Sequence, residues 1–244
     1  MILRQFTYGA LLALFVLSSS AYSQSPKASS VRVKLHGGDY RGAITAFELE
    51  LAAGKRDNLE HLISALIDTG QFEKARVHAT ALSKEKNRRS VGHTFLARIE
   101  FIKGKYVAVI KRLKKVIASH PENLEARILI SEAKLASGAH PDSLQEADEI
   151  ADIWNEGRVK GAEGLARLGR ALQLTRYFKD ANEIFAEALE DDRSNVLANL
   201  YWARLFLEKY DEQQASQSLE EILKVNPNHP YALALSAQID MSSD

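Results

Sequence analysis

Apolar residues recur along most of this chain at the spacing of amphipathic helices, and in one stretch the whole pattern occurs twice. Between Ala162 and Pro227 small and large residues follow a fixed order, and the second copy repeats the first after 34 residues. The two copies consist of Leu165, Leu168, Gly169, Leu172, Ala181, Phe185 and Ala188, and of Trp202, Ala203, Phe206, Ala215, Leu219 and Ile222. Small residues permit close helix contacts and large ones fill the space beside them, so each copy predicts a pair of packed helices.

The same register extends towards the N-terminus. A small residue early in the second helix of each predicted pair falls at Ala43, Ala75, Val109, Ala147, Ala181 and Ala215. The intervals are 32, 34, 38, 34 and 34 residues, and the longest of them contains the extended turn Ser137–Asp142. Because insertions in repeat arrays go into loops, the pattern predicts six helix pairs, one further helix at the C-terminal end, and no β-strand.

Turn residues mark where the first helix of each pair ends. Gly38, Gly70 and Gly104 stand at this place in the first three pairs, each followed closely by an aromatic residue. Glycine suits a helix end because it takes the left-handed conformation without the cost that a side chain adds. The fifth and sixth pairs offer Tyr177 and Tyr210 instead, so we expect those two turns to differ in detail.

A 34-residue repeat with this order of small and large residues resembles the tetratricopeptide repeat (TPR) family, and the resemblance covers nearly all of residues 31–240. It implies an all-α, right-handed superhelix (an α-solenoid) whose first helices line a concave groove. It also implies a function in binding peptides or segments of other proteins.

A narrower resemblance links Ile153–Gly157, Lys179–Asn182 and Leu207–Tyr210 to the N-terminal repeat region of secreted bacterial proteins that continue into a metallopeptidase-like domain. This chain ends at Asp244 and has no His-Glu-x-x-His, the motif that places two histidines on one zinc ion. Peptidase activity is therefore not carried over. A truncated enzyme of that group stays an alternative interpretation.

The first 23 residues have the features of a secretory signal peptide. Arg4 precedes an apolar run from Phe6 to Leu17, and small residues follow at Ala21 and Ser23. The run is too short for a membrane span, which needs about 20 apolar residues. We expect cleavage after Ser23, a polar linker at 24–30, the repeat array at 31–240 and a short tail at 241–244. The predicted location is the periplasm or the extracellular space of a bacterium.

The residues provide little support for catalysis or for a cofactor. The seven histidines include no pair at metal-binding spacing, and Gly-x-Ser-x-Gly and phosphate-binding glycine loops are absent from the sequence. We therefore predict no enzyme activity, no cofactor and no metal. The 32 basic and 32 acidic residues cancel, which argues against a nucleic-acid partner.

Charge is distributed unevenly along the chain. Residues 84–115 contain eleven Lys or Arg and two Glu, whereas residues 122–244 contain 12 basic and 23 acidic residues. Such asymmetry indicates either the attraction of charged partners or head-to-tail self-association, and the alternative is that these are simply solvated outer faces.

One set of charged residues follows the repeat. Immediately after the small residue of successive first helices stand Arg98, Glu132, Arg170 and Arg204. The family resemblance places this position on the concave face, and arginine binds carboxylates and peptide carbonyls well. We therefore predict a groove in which Arg170 and Arg204, with Arg98, hold an acidic or C-terminal segment of a partner. The alternative is that Arg98, Glu132 and Arg170 pair with one another along the solenoid.

The sequence as a whole predicts an exported, non-catalytic TPR protein that binds other polypeptides in its groove. Two alternatives remain at this point: the truncated metallopeptidase-like protein, and a structural protein of the cell envelope that assembles with itself.

Overall fold

The computed structural model describes residues 30–141, 144–158 and 160–242, and these residues form thirteen α-helices, one 3₁₀ turn and no strand. The first six helices are α1 Ser30–His36, α2 Tyr40–Ala52, α3 Leu59–Asp68, α4 Phe72–Leu82, α5 Arg89–Ile102 and α6 Tyr106–Ser119. The remaining helices are α7 Leu124–Ala136, α8 Gln145–Asn155, α9 Gly161–Leu174, α10 Phe178–Asp191, α11 Val196–Glu208, α12 Glu212–Val225 and α13 Pro230–Ser242. The 3₁₀ turn Lys86–Arg88 lies before α5.

The helices stack as six consecutive antiparallel pairs, followed by α13. Each helix packs mainly on its neighbours in the chain, and from α3 onwards each first helix also contacts a first helix of an adjacent pair. The six small residues that set the sequence register are 0–1% exposed. They pack against the partner helix of each pair, so the predicted all-α solenoid is confirmed.

The core is distributed along the stack instead of lying at one centre. Buried apolar residues form six clusters, each shared by adjacent helices, as expected for a solenoid. Gly169 shows why the small positions matter, because a Cβ there would lie 2.6 Å from the ring of Phe185. The predicted close contact between α9 and α10 is therefore present.

The turns within pairs have the same left-handed backbone in all six pairs, which corrects one expectation. Gly38, Gly70 and Gly104 have φ angles of 83°, 74° and 69°. In the fifth and sixth pairs Arg176 and Tyr210 take the same conformation, with φ of 67° and 59°. These turns do not differ in backbone form, because the packing of the two helices requires a tight reversal whatever residue stands there.

The junctions between pairs rely on side-chain caps. The side-chain oxygens of Asn123 and Asn195 each accept a hydrogen bond of 2.9 Å from a backbone amide in the first turn of α7 and α11. Such caps satisfy amide groups that have no partner inside the helix.

Two predicted segments fall partly beyond these elements. The predicted signal peptide (1–23) and nearly all of the linker (24–30) lie outside the described residues. Helix α13 continues to Ser242, two residues into the predicted tail, and residues 243–244 also lie outside.

Candidate functional site

The first helices of successive pairs bring Glu132, Arg170 and Arg204 into one cluster. Arg170 donates from Nε and Nη2 to Oε1 of Glu132, at 3.1 and 2.6 Å. Arg204 approaches the same oxygen from the next pair, with Nη1 3.5 Å away. Glu132 and Arg204 are 72 residues apart, so they lie two pairs apart. Side chains two pairs apart converge on the inner side of a curved array, and this contact therefore marks the concave groove.

Arg170 is a buried part of this cluster. It is 7% exposed, and its Nη1 donates to Oε1 of Gln173 at 2.9 Å. Gln173 in turn donates to Glu208 at 3.1 Å. The guanidinium also lies 5.5 Å from the ring of Tyr201. Burial, together with the charge of Glu132, raises the pKa of the Tyr201 hydroxyl to about 12.

Arg204 is the more accessible of the two arginines, since its side chain is 43% exposed. Its pKa is lowered by burial first and then by repulsion from Arg170. Two guanidinium groups thus share one carboxylate oxygen of Glu132, and the contact from Arg204 is the longer one. An added carboxylate beside Arg204 would favour its charged form.

Arg98 lies outside this cluster. Its Nη2 is 3.8 Å from Oδ1 of Asp68, and its Nε is 3.9 Å from Oε1 of Glu125. Burial works against the charge of Arg98, yet Glu125, Asp68 and Tyr231 together hold its pKa above the usual value. The pairing along the solenoid therefore joins Glu132 to Arg170 and Arg204, whereas Arg98 pairs with acidic residues of α3 and α7.

The first and last pairs of the solenoid meet at one rim of the groove. Asn226 donates from Nδ2 to the hydroxyl oxygen of Tyr40 at 3.2 Å, and Asn228 donates to the carbonyl oxygen of Gly38 at 3.1 Å. We call these four residues the clasp. Tyr231, at the start of α13, reaches from the clasp towards Arg98. The last helix therefore lies against the groove at the rim formed by the turns within pairs.

The clasp joins two different kinds of connection. Gly38 lies in a turn within a pair, whereas Asn228 lies in a junction after a pair. These two kinds of connection lie at opposite rims of the array, since each one reverses the chain.

At the opposite rim the groove contains an open cavity of about 510 Å³. Its lining comes from the N-terminal halves of first helices and the junctions before them: Glu60, Ser90, Val91, Thr94, Phe95, His120, Glu122, Asn123, Leu124, Glu125, Lys160, Glu163, Gly164 and Arg167. Val91 and Phe95 provide its apolar surface. Glu122 and Lys160 bring opposite charges to its edge.

The sequence reasoning missed Phe95, Glu125 and Arg167. Each shares a helical face with a residue that the sequence did indicate. Phe95 and Arg167 lie three residues before Arg98 and Arg170, and Glu125 lies seven residues before Glu132. A search of the whole inner face of each first helix, instead of one position per helix, would have found them.

Within the part of the chain that the structure describes, no three His, Asp or Glu side chains are arranged to hold a metal ion. None of the described helices is both long enough and apolar enough to cross a membrane.

Comparison with known proteins identifies the repeat. The tetratricopeptide repeat family model matches residues 178–239, which span α10 to α13. A comparison with curated protein sequences gives no match.

Among solved structures, TTC0263, a thermophilic TPR protein of Thermus thermophilus, is similar with a TM-score of 0.56 and 18% identity. The likeness covers 76% of this chain and 97% of that one. Yeast Tom70 gives a TM-score of 0.49 at 14% identity, over 89% of this chain and 44% of Tom70. At such identities the likeness concerns the fold.

The fold suggests a scaffold for protein–protein interaction, and TPR proteins bind peptides or proteins. The 34-residue register, the buried small positions and the fold likeness agree with the family match: residues 178–239 match the tetratricopeptide repeat family, and the described chain has the fold of TPR proteins.

Proposed function

We propose that this protein is a non-catalytic scaffold of the bacterial cell envelope, which binds a polypeptide segment of a partner in its concave groove. The observation that carries the proposal is the open cavity of about 510 Å³ at one rim of that groove. Ten of its fourteen lining residues are polar or charged, and Val91, Phe95 and Leu124 add apolar surface, so the cavity offers hydrogen-bond and charge partners beside an apolar patch.

The segment would bind a surface that is largely formed in advance. Phe95 and Val91 offer apolar contact, and Glu122 and Lys160 lie at the edge where they can pair with side chains of either sign. Outside the cavity lining, Arg204 has a side chain that is 43% exposed and can pair with a carboxylate of the segment. Because helix packing fixes these positions, little ordering is needed on binding.

A site-specific photocrosslinker tests this placement. The photoreactive phenylalanine analogue benzoylphenylalanine replaces Phe95 in the cavity or, as a control, Tyr210, which is 95% exposed and lies outside it. After irradiation of cells that produce the protein, we expect a discrete adduct from position 95 and none of that size from position 210. Identical adducts from both positions, or none from position 95, would refute groove binding.

The role of Arg204 is tested in the same assay. Arg204→Ala should reduce the yield of the adduct from position 95, whereas Arg193→Ala removes an equal charge at an exposed junction and should leave the yield unchanged. An unchanged yield in Arg204→Ala would remove this arginine from the site without affecting the cavity itself.

Export is the second part of the proposal, supported by Arg4, the apolar run and the small residues at 21 and 23. The mature protein is expected to begin at Gln24, which N-terminal sequencing of the isolated protein can determine. Ala21→Phe places a large residue where the signal peptidase requires a small one, so the precursor should accumulate. An N-terminus at Met1 in wild-type protein from the envelope fraction would contradict cleavage.

A further inference from the structure

The outer face of α6 is basic. Val109, Leu113 and Val116 face the core, and the opposite side of the helix exposes Lys111, Lys114 and Lys115. We call these three residues the basic stripe. Within the described part of the chain none of them forms an ion pair, whereas the neighbouring Arg112 is held by Glu100 at 2.5 Å.

The outer face of α10 is acidic in the same way. Its core side consists of Ala181, Phe185 and Ala188, and its other side exposes Glu183, Glu187 and Glu190, which we call the acidic stripe. Glu183 has one long contact of 3.9 Å to the exposed Lys179. We find no ion pair for Glu187 or Glu190 among the described residues.

The C-terminal end of α10 adds to this negative charge. Glu190 and Asp191 occupy the last turn, where the backbone carbonyl groups already carry partial negative charge, and no basic residue stands there. Acidic residues at a helix C-terminus are unfavourable, and an external cation relieves the repulsion.

The two stripes occupy equivalent places in their repeats. Lys111 and Lys115 follow Val109 by two and six residues, and Glu183 and Glu187 follow Ala181 by the same two and six. Both pairs therefore project from the outer face with the same spacing along the helix. Two such helices laid side by side bring two lysines opposite two glutamates.

We propose that copies of this chain associate head to tail, with the basic stripe of one copy against the acidic stripe of the next. Among the described residues the two stripes form no ion pair with each other, and the second helix α8 lies between α6 and α10 in the order of the stack. An antiparallel arrangement of the two helices is preferred, since it also brings the basic residue Lys105 at the start of α6 towards the end of α10.

A contact of this kind leaves one stripe free at each end of the pair. It is heterologous, so further copies can add and the assembly does not stop at a dimer. The stripes face away from the groove, and association therefore does not compete with a segment bound inside.

Salt and charge reversal test the proposal. In sedimentation velocity the protein should form oligomers at about 0.1 M salt and dissociate at about 1 M, since the screening length falls from about 10 Å to about 3 Å. Lys111→Glu with Lys115→Glu should be monomeric at both salt concentrations, and so should Glu183→Lys with Glu187→Lys. An equimolar mixture of the two variants should associate again, because the unaltered acidic stripe of the first meets the unaltered basic stripe of the second, and the two reversed stripes also carry opposite charges.

The matched control is Lys84→Glu with Lys86→Glu, which makes the same change in net charge at the exposed α4–α5 connection. This variant should associate as the wild type does. A wild-type protein that is monomeric at about 0.1 M salt, a mixture that stays monomeric, or a control that dissociates like the stripe variants would each overturn the proposal. None of these outcomes bears on crosslinking at position 95, so groove binding and self-association are judged separately.

Discussion

Asn226 donates a hydrogen bond to the hydroxyl oxygen of Tyr40 at 3.2 Å, although 186 residues separate the two in the chain. Through this bond the last junction of the solenoid contacts the first helix pair, and an array that could have remained open at its ends closes on itself. The relationship depends on every intervening repeat, because each one contributes a small rotation and rise to the position of the next.

The contribution of the clasp to the free energy of unfolding can be measured by comparing one glycine variant in the clasp with a matched variant outside it. Gly38→Ala and Gly70→Ala both force alanine into a left-handed turn, at a cost of about 1–2 kcal/mol. At Gly38 the new Cβ would also lie 2.5 Å from Oδ1 of Asn226, whereas at Gly70 no atom lies within 4 Å. Urea denaturation should therefore show a larger loss for Gly38→Ala, and equal losses would mean that the clasp adds nothing.

Removing one hydroxyl tests the same contact without strain. Tyr40→Phe deletes the acceptor for Asn226 and should lower the free energy of unfolding by about 0.5–1.5 kcal/mol. Small-angle scattering should then report a larger radius, since the two ends are freer to separate. Tyr210→Phe, at an exposed tyrosine away from the clasp, should leave both quantities unchanged.

The two arginines on Glu132 should differ sharply in their effect on stability. Arg170→Ala removes a buried arginine and leaves Glu132, whose side chain is 16% exposed, without its main partner, and we expect a loss of about 2–3 kcal/mol. Arg204→Ala breaks one long contact of a half-exposed side chain and should cost at most about 1 kcal/mol. Thermal and urea unfolding measure both, and similar losses would show that the cluster does not divide in this way.

Tyr210 offers a stabilising substitution. It holds a φ of 59° and is 95% exposed, so its side chain contributes little packing to offset the left-handed backbone. Tyr210→Gly should raise the free energy of unfolding by about 1 kcal/mol. Lys209→Gly changes the adjacent residue, which has a φ of −100°, and should not stabilise. A loss of stability in Tyr210→Gly would indicate that the side chain of Tyr210 makes a contact that stabilises the folded state.

Asp68 should make stability depend on pH. Burial raises the pKa of this carboxyl group above its usual value, and Arg98 opposes the rise only in part. The folded state then binds its proton more tightly than the unfolded state, so this group favours folding at acid pH and its contribution is lost as pH rises through the folded-state pKa. The free energy of unfolding of Asp68→Asn, relative to that of the wild type, should consequently increase as pH rises from acid to neutral.

Glu73 provides a comparison with the opposite sign. Its pKa is lowered by the hydrogen bond from Lys103, so its contribution is present at neutral pH and is lost as pH falls. Glu73→Gln should lose stability relative to the wild type at neutral pH and not at acid pH. Denaturation curves of both variants at several pH values measure the two trends, and parallel trends would contradict the assignment of Asp68.

Most of the fold could be predicted because helix pairs are built from local patterns. Ala43, Ala181 and Ala215 were placed at helix contacts from spacing alone, and they are completely buried. The same local reasoning failed at Arg176 and Tyr210. It assigned the left-handed turn to glycine, whereas the packing of two neighbouring helices imposes that turn on the residue present.

The contacts among the four charged residues of the repeat could not be predicted from the sequence. The repeat placed Arg98, Glu132, Arg170 and Arg204 on one face, because residues one repeat apart project the same way. Which of these side chains touch depends on the curvature of the array, which no single repeat contains. Arg98 therefore lies with Asp68 and Glu125, and Glu132 holds arginines from the next two pairs.

By itself, the sequence determined the repeat register, the helix pairs, the buried small positions and the uneven charge. These follow from helical periodicity and side-chain volume, which act over a few turns of chain. Only the tertiary structure decided that the two ends of the solenoid touch through Tyr40 and Asn226. It also decided that Arg170 is buried while Arg204 is partly exposed, and that the open cavity lies beside Phe95. Those features arise from small rotations added over six pairs, and a sum of that kind is fixed only when all the repeats are packed together.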